Sequence, residues 1–139
     1  MNLTDRYLDA GFKDYESMKK GLTLNIPENF NFGFDVVDEY ARLQPDKRAL
    51  VWCNDKGEER EYSFKDISIL SNKLADALQK LGIKKGDFVM VILKRRAEYW
   101  ITYPALHKLG AVIIPATHML TKKDVIYRNN AAGVRMIIA

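Results

Sequence analysis

Three consecutive cations, Lys94-Arg95-Arg96, follow directly on an unbroken apolar run, Phe88-Val89-Met90-Val91-Ile92-Leu93. Positive charge at the end of a strand is placed to meet a phosphate of a nucleotide or coenzyme; the competing reading is a solvated cap. His107 and His118 are the only histidines. His118 lies just past a second apolar run, Ala111-Val112-Ile113-Ile114-Pro115, in the kind of loop that lines ligand clefts. His107 falls late in a helical stretch and reads as a solvated or helix C-terminal charge. Cys53, the sole cysteine, closes the run Ala49-Leu50-Val51-Trp52-Cys53 and reads as a buried small hydrophobe. A nucleophilic thiol would want a basic neighbour or a helix N-terminus, and neither stands beside it in the sequence. Trp52, Tyr99 and Trp100 read as core or subdomain-contact residues rather than as a stacking platform. The eight glycines form neither G-x-G-x-x-G nor G-x-x-x-x-G-K-[ST], and H-E-x-x-H, G-x-S-x-G and paired cysteines are absent from the sequence. No second metal ligand stands at helical spacing from either histidine, so no metal site is expected.

The elements that must position these residues are legible from patterning. Residues 97–109 are helical in pattern and Gly110 stops them, so 88–115 reads strand, helix, strand, the unit of a parallel sheet covered by helices. Pro104 falls inside that helix and predicts a kink or a later start. Upstream, 48–53 and 59–62 read as two strands joined by Asn54-Asp55-Lys56-Gly57, whose residue types tolerate the positive φ of a tight turn. Ser63-Phe64-Lys65-Asp66 resembles a capping box. The helix it opens carries Ile67, Leu70, Leu74, Ala77, Leu78 and Leu81 on one stripe, and Gly82 ends it. Lys84-Lys85-Gly86-Asp87 turns into the next strand. Thr121-Lys122-Lys123-Asp124 repeats the capping pattern for a helix reaching about Ala132, and 134–139 reads as a buried strand. Phe34, Val37, Tyr40 and Ala41 have helical spacing up to Leu43, with Pro45 as a stop. Tyr15, Met18 and Leu22 would line one face of a short helix. The expected organisation is a polar lead-in over 1–30 and a single α/β body over 31–139.

The 139 residues carry 22 Lys plus Arg against 18 Asp plus Glu, a net charge of +4, and 47% hydrophobic residues. That is an ordinary globular composition. The positive excess is dispersed, without the basic face and interleaved aromatics of a nucleic-acid binder. No apolar run approaches the roughly 20 residues that span a bilayer. Asp5, Arg6 and Asp9 interrupt the start of the chain, so no secretory apolar core is present. A cytoplasmic placement is expected, and Asn2-Leu3-Thr4 is taken as a chance glycosylation acceptor.

Tyr62-Ser63-Phe64-Lys65-Asp66-Ile67, Asn72-Lys73-Leu74-Ala75-Asp76-Ala77-Leu78 and Leu81-Gly82-Ile83-Lys84-Lys85-Gly86-Asp87 together resemble the N-terminal part of AMP-forming acyl-CoA synthetases. So do Glu98-Tyr99-Trp100 and Leu109-Gly110-Ala111-Val112-Ile113-Ile114-Pro115. The stretch from Leu120 to Arg128, with Phe34-Asp35-Val36-Val37-Asp38 and Ala49-Leu50-Val51-Trp52, resembles the branch of acetyl- and medium-chain acyl-CoA synthetases. The resemblance covers about 30–139, and its ordered series carries it rather than any one motif.

This resemblance implies a partial parallel sheet covered by helices, with a small hairpin, forming an incomplete N-terminal part of the large adenylate-forming domain. It implies an acid–CoA ligase as the parent, using ATP, Mg²⁺ and coenzyme A in fatty acid metabolism. The phosphate loop, metal acid, ribose Asp and mobile Lys of that family lie downstream of the matched stretch, so no catalytic residue is assigned, and the chain alone is expected to be inactive and to bind no cofactor. Thr117 and His118 correspond to a region near the coenzyme or acyl pocket and are the two site residues expected. Expected partners are the remainder of the polypeptide, and the acid and coenzyme A in the parent. The apolar faces of such a piece also invite self-association as a dimer. Two other readings stay open: a non-catalytic binding module that keeps the fold, and a small α/β protein holding an anion at Lys94-Arg95-Arg96.

Overall fold

The computed structural model describes residues 3–8 and 11–139; Met1, Asn2, Asp9 and Ala10, and with them the Asn2 acceptor, lie outside the described residues. The chain divides into two compact units, Met1–Phe30 and Asn31–Ala139. In the first, α1 (Tyr15–Gly21) is opened by a reciprocal capping box between Asp14 and Ser17. Its proposed apolar face is not buried: Tyr15 and Leu22 are exposed and Met18 is at 39%. Leu8 and Leu24 form a single antiparallel bridge, and the Tyr7 and Phe30 rings meet edge to face.

The second unit begins with a π-helical turn, Phe32–Asp38, that runs into α2 (Glu39–Leu43). The spacing of Phe34, Val37 and Tyr40 predicts an ordinary α-helix, and the wider coil is a correction. Its cause is local. Asn31 Oδ1 accepts from the Gly33 and Phe34 amides at 2.9 and 3.4 Å, and Asn31 Nδ2 donates to the His107 carbonyl at 2.7 Å. Asp35 Oδ2 accepts from the Asn31 amide at 2.6 Å. The turn is thus pinned by side chains to a later helix, as π-type turns often are where packing dictates the coil. Gly33 is needed there: a Cβ would stand 2.9 Å from the Pro104 carbonyl oxygen and 2.8 Å from Lys108 Cγ.

β1 (Arg48–Cys53) and β2 (Glu59–Ser63) pair antiparallel around the Asn54–Gly57 turn, where Gly57 has φ of 77°. α3 (Phe64–Lys80) starts on Ser63, whose hydroxyl and amide exchange hydrogen bonds with Asp66. Its buried stripe is Ile67, Ser71, Ala75 and Leu78. Ala77 and Leu81, expected on that stripe, face outward. Small residues take the inner positions because α4 (Ala97–Leu109) packs closely there. The buried hydroxyls on this contact are satisfied within their own helices, Ser71 to the Ser68 carbonyl at 3.0 Å and Thr102 to the Glu98 carbonyl at 2.7 Å.

β3 (Phe88–Val91), β4 (Val112–Pro115) and β5 (Met136–Ile138) form a parallel sheet in the order β4-β3-β5. α4 crosses from β3 to β4, and α5 (Lys122–Ala132), capped by Thr121 and Asp124, crosses from β4 to β5. β5 is half-buried rather than buried, with Ile137 at 40% exposure. α4 begins at Ala97 and continues through Pro104 to Leu109, so the proline does not shift its start. Burial of Ile101, Ala105 and Leu106 around Pro104 outweighs the one backbone bond it removes. α4 separates two cores: Leu106 with Leu78, Ile83, Val89 and Val91 toward the sheet, and Ile101 with Val37 and Ile67 toward the π-helical turn. Lys108, near its end, sends a buried ammonium to Asp38 Oδ1, Ser71 Oγ and Asn72 Oδ1 at 2.7, 3.0 and 2.7 Å.

Candidate functional site

Because β3 and β4 run parallel, the segments after both emerge at the same edge of the sheet. This carboxyl edge is where open α/β sheets bind ligands. After β3, Ile92 still bonds to the Ile138 carbonyl at 2.8 Å, and then the chain leaves the sheet as Lys94-Arg95-Arg96. After β4, the Ala116 amide reaches the Val91 carbonyl at 3.0 Å before the turn 117–120. The structure therefore brings together His118, Thr117 and the three cations, which the sequence separates by some twenty residues.

Two adjoining clefts open there, sharing Trp52, Cys53, Lys94, Arg95, Arg96 and His118 in their walls. The larger, about 870 Å³, adds the hairpin residues Asn54, Asp55, Glu58 and Arg60. The smaller, about 510 Å³, adds the apolar and aromatic side chains of Leu50, Leu93, Tyr99 and Trp100, with Thr117. Thr117 and His118 are both exposed. The Thr117 hydroxyl accepts from the Met119 amide at 3.2 Å, which fixes its oxygen and leaves its proton to donate outward. His118 projects from the same turn into both clefts.

The hairpin is clasped to the basic loop by one long-range bond. Trp52 Nε1 donates to the Arg95 carbonyl at 2.7 Å, and the Arg60 guanidinium lies 5.6 Å from the Trp52 ring centroid. Trp52 is thus half-buried and Trp100 is 57% exposed, so neither belongs to the core. Cys53 is exposed in the cleft wall rather than buried. The reason is its place at the end of an edge hairpin whose second strand is charged and solvated, so no layer covers it. Among the described residues no group of three His, Cys, Asp or Glu stands where it could hold a metal ion. Of the three acids of the larger cleft, Glu58 is held by Asn54 Nδ2 at 2.7 Å and Glu98 by Arg96 at 3.5 Å, so Asp55 stands there without a second free carboxylate to share Mg²⁺.

His107 is not the solvated charge expected from its place in the helix. Its ring lies edge-on to Phe32 and Tyr103, and its Nδ1 is buried without a partner. Burial holds its pKa below the ordinary histidine value. A lowered folded-state pKa means the unfolded chain takes the proton first as pH falls. The contribution is neutral above about pH 6.5 and becomes destabilising below it. His107→Phe should therefore flatten the fall in thermal midpoint between pH 7 and pH 5; an unchanged pH profile would remove His107 from that role.

A parallel sheet with a cationic, partly aromatic cleft at its carboxyl edge is an α/β subdomain of the layout in which open sheets hold small molecules. The family described as AMP-binding enzyme matches residues 37–139, and the chain belongs to that family. It is 40% identical over 133 residues to human acyl-coenzyme A synthetase ACSM3, mitochondrial, covering 91% of this chain and 23% of that protein. It is likewise 40% identical over 120 residues to rat acyl-coenzyme A synthetase ACSM4, mitochondrial, covering 82% and 21%. Among solved structures, a Mycobacterium tuberculosis fatty acyl CoA synthetase superposes with a TM-score of 0.70 at 26% identity, over 77% of this chain and 20% of that one. The Klebsiella oxytoca NpsA N-terminal subdomain gives 0.67 at 30% identity, over 76% and 26%. The chain thus spans about a quarter of the length of the curated relatives it matches. Their names also correct the cytoplasmic placement. A missing secretory apolar core has no bearing on mitochondrial import, which reads amphipathic, arginine-rich segments. No helix among the described residues is long and apolar enough to cross a membrane.

Proposed function

We propose that this chain is the N-terminal part of the large domain of an ATP-dependent, AMP-forming acyl-CoA synthetase acting on acetate or a medium-chain acid. The observation that carries the reading is the family match over 37–139, which includes the whole sheet and both cleft-forming loops. In the parent reaction a carboxylate oxygen attacks the α-phosphorus of ATP and pyrophosphate leaves. The sulfur of coenzyme A then attacks the acyl carbon, and AMP leaves with the C–O electron pair.

Within that reaction the chain's own residues bind and orient. Thr117 supplies a hydroxyl proton and His118 a polar wall where the coenzyme or the acid passes. The exposure of both, and their position at the carboxyl edge, support this role. The chain carries no phosphate-binding glycine loop, and alone it is expected to be inactive. Acid-dependent pyrophosphate release from the purified chain would contradict that.

Thr117→Ala and His118→Ala in the complete enzyme should each raise the KM for coenzyme A or acid several-fold, with a smaller change in kcat. Loss of one hydrogen bond of about 1 kcal/mol corresponds to such a factor. Unchanged kinetics in both variants would remove these residues from the site.

A further inference from the structure

We propose that His107 and the first half of the π-helical turn form an acid-released latch: a proton taken up at the buried Nδ1 lifts residues 31–34 off α4, while Val37 and Asp38 hold the rest of the turn in place. Two contacts close the latch. Asn31 Nδ2 donates to the His107 carbonyl at 2.7 Å, and the Phe32 ring stands edge-on to the imidazole with centroids 5.9 Å apart. The Tyr103 ring meets the same imidazole at 6.3 Å. Nδ1 is enclosed there without a hydrogen-bond partner. A neutral imidazole needs only one N–H, so an unprotonated Nδ1 forgoes one acceptor bond and nothing more. The imidazolium carries N–H at both nitrogens. A charged donor with no acceptor in a dry pocket is far more costly, and lifting Phe32 admits water to it.

The charges around the imidazole do not offset that burial. α4 packs against the π-helical turn, α3 and β4. The turn brings Asp35 and Asp38, but Asp38 accepts from Lys108 and Ser68 and Asp35 accepts from the Asn31 amide. The charged residues of α3 are all exposed, and β4 has none. On α4 itself Tyr103 is neutral and the adjoining Lys108 is a buried cation of like sign. The stem of Lys85, a second cation, lies against Gly110 at the helix end. A helix C-terminus favours a positive charge, yet the His107 carbonyl is already used by Asn31 and by the Gly110 amide at 2.9 Å. Burial therefore prevails and holds the His107 pKa down.

The two halves of the turn are anchored unequally, which makes the response local. Val37 is buried with Ile67 and Ile101, and Asp38 is tied to both α3 and α4. Phe32 and Phe34 are exposed, so lifting them gives up little apolar burial. The first half is held by Asn31: its carbonyl accepts from the Phe34 and Asp35 amides at 3.0 and 2.7 Å, and its Oδ1 from the Gly33 amide. A closed state with the lower pKa is favoured at neutral pH and loses ground as pH falls below about 6.5, where the open state takes the proton first. The latch stands at the far end of α4 from residues 94–96 and does not depend on the ligase reading.

Native-state hydrogen exchange of this chain tests the latch, read amide by amide at pH 7 and pH 5 in low urea and corrected for the intrinsic exchange rate. The amides of Gly33, Phe34 and Asp35 should lose protection several-fold from pH 7 to pH 5, with almost no urea dependence. The β3 amides should stay far better protected at both pH values and show the full urea slope of unfolding. His107→Gln and His107→Phe, neither of which titrates, should each abolish the loss in the turn. Asn31→Ala should lower protection of the turn at both pH values. A urea slope in the turn equal to that of β3 would overturn the proposal, since the turn then opens only with the whole chain. So would unaltered protection at pH 5 or in Asn31→Ala. A loss of the same size in both His107 variants would assign the effect to the carboxylates of the turn and likewise overturn it.

Discussion

Lys108→Ala should lower the unfolding free energy of the chain by about 3 kcal/mol, the lower end of the range for breaking a buried charge pair. The side chain of Lys108 is 4% exposed, and that of its partner Asp38 is 28% exposed. Asp38 also accepts from Ser68 Oγ at 2.7 Å, so this carboxylate ties α3 and α4 to the end of the π-helical turn. Removing the ammonium leaves Asp38 partly buried with one neutral donor, and leaves Ser71 and Asn72 without their charged partner. The partial exposure of Asp38 admits water and moderates the loss. Replacing both charges, as Lys108→Met with Asp38→Leu, should recover part of it, because no charge is then stranded. Urea unfolding of the two single variants and the double variant measures the coupling. Single variants that each lose less than 0.5 kcal/mol, a threshold of roughly the size seen at surface sites, would show that the network does not hold the helices together.

Leu106→Ala should cost about 3 kcal/mol, within the roughly 2–5 kcal/mol span for buried leucine truncation. Leu106 is fully buried between the sheet and α3, among Leu78, Ile83, Val89 and Val91. β3 below it is short and its Val89, Met90 and Val91 are wholly inaccessible, so the site has little freedom to collapse around the missing side chain. The denaturation midpoint should fall with an unchanged m-value. A loss under 1 kcal/mol, far from the roughly 2 kcal/mol minimum, would show that this core is loosely packed. The effect bears on the cleft because α4 carries Leu106 and follows directly on Lys94-Arg95-Arg96.

The fold was legible where a signal is local. Ser63 with Asp66, and Thr121 with Asp124, are three residues apart, and both form reciprocal capping boxes. The continuous apolar run at β3 and the Gly110 stop, in left-handed conformation with φ of 68°, likewise need no tertiary information. What misled was tertiary. The π-helical turn depends on Asn31 reaching His107, 76 residues away. The inner stripe of α3 uses Ser71 and Ala75 because α4 approaches closely, which periodicity of large apolar residues cannot reveal. Cys53 and Trp52 look like core in an apolar run, yet the strand they end lies in a two-stranded sheet, paired only with the charged, solvated β2 and with no strand on its other edge.

The candidate site was legible only in pieces. Lys94-Arg95-Arg96 and His118 each follow a strand-like run, and a parallel pairing suffices to bring them to one edge. The Trp52 clasp on Arg95 was not foreseeable, since nothing in an indole's sequence neighbourhood specifies a carbonyl 43 residues away. The Asp14 and Ser17 capping box was available from spacing, with Ser17 in the position usually held by Glu or Gln.

The ligase reading is tested most directly by assaying the complete product of the gene that carries this sequence for AMP and acyl-CoA formation. The assay supplies ATP, Mg²⁺, coenzyme A and straight-chain acids from acetate through medium chain lengths. The account predicts AMP formation that depends on both acid and coenzyme A, with a raised KM in the His118→Ala variant. Absence of acid-dependent AMP formation across the whole series, from a folded protein, would contradict it.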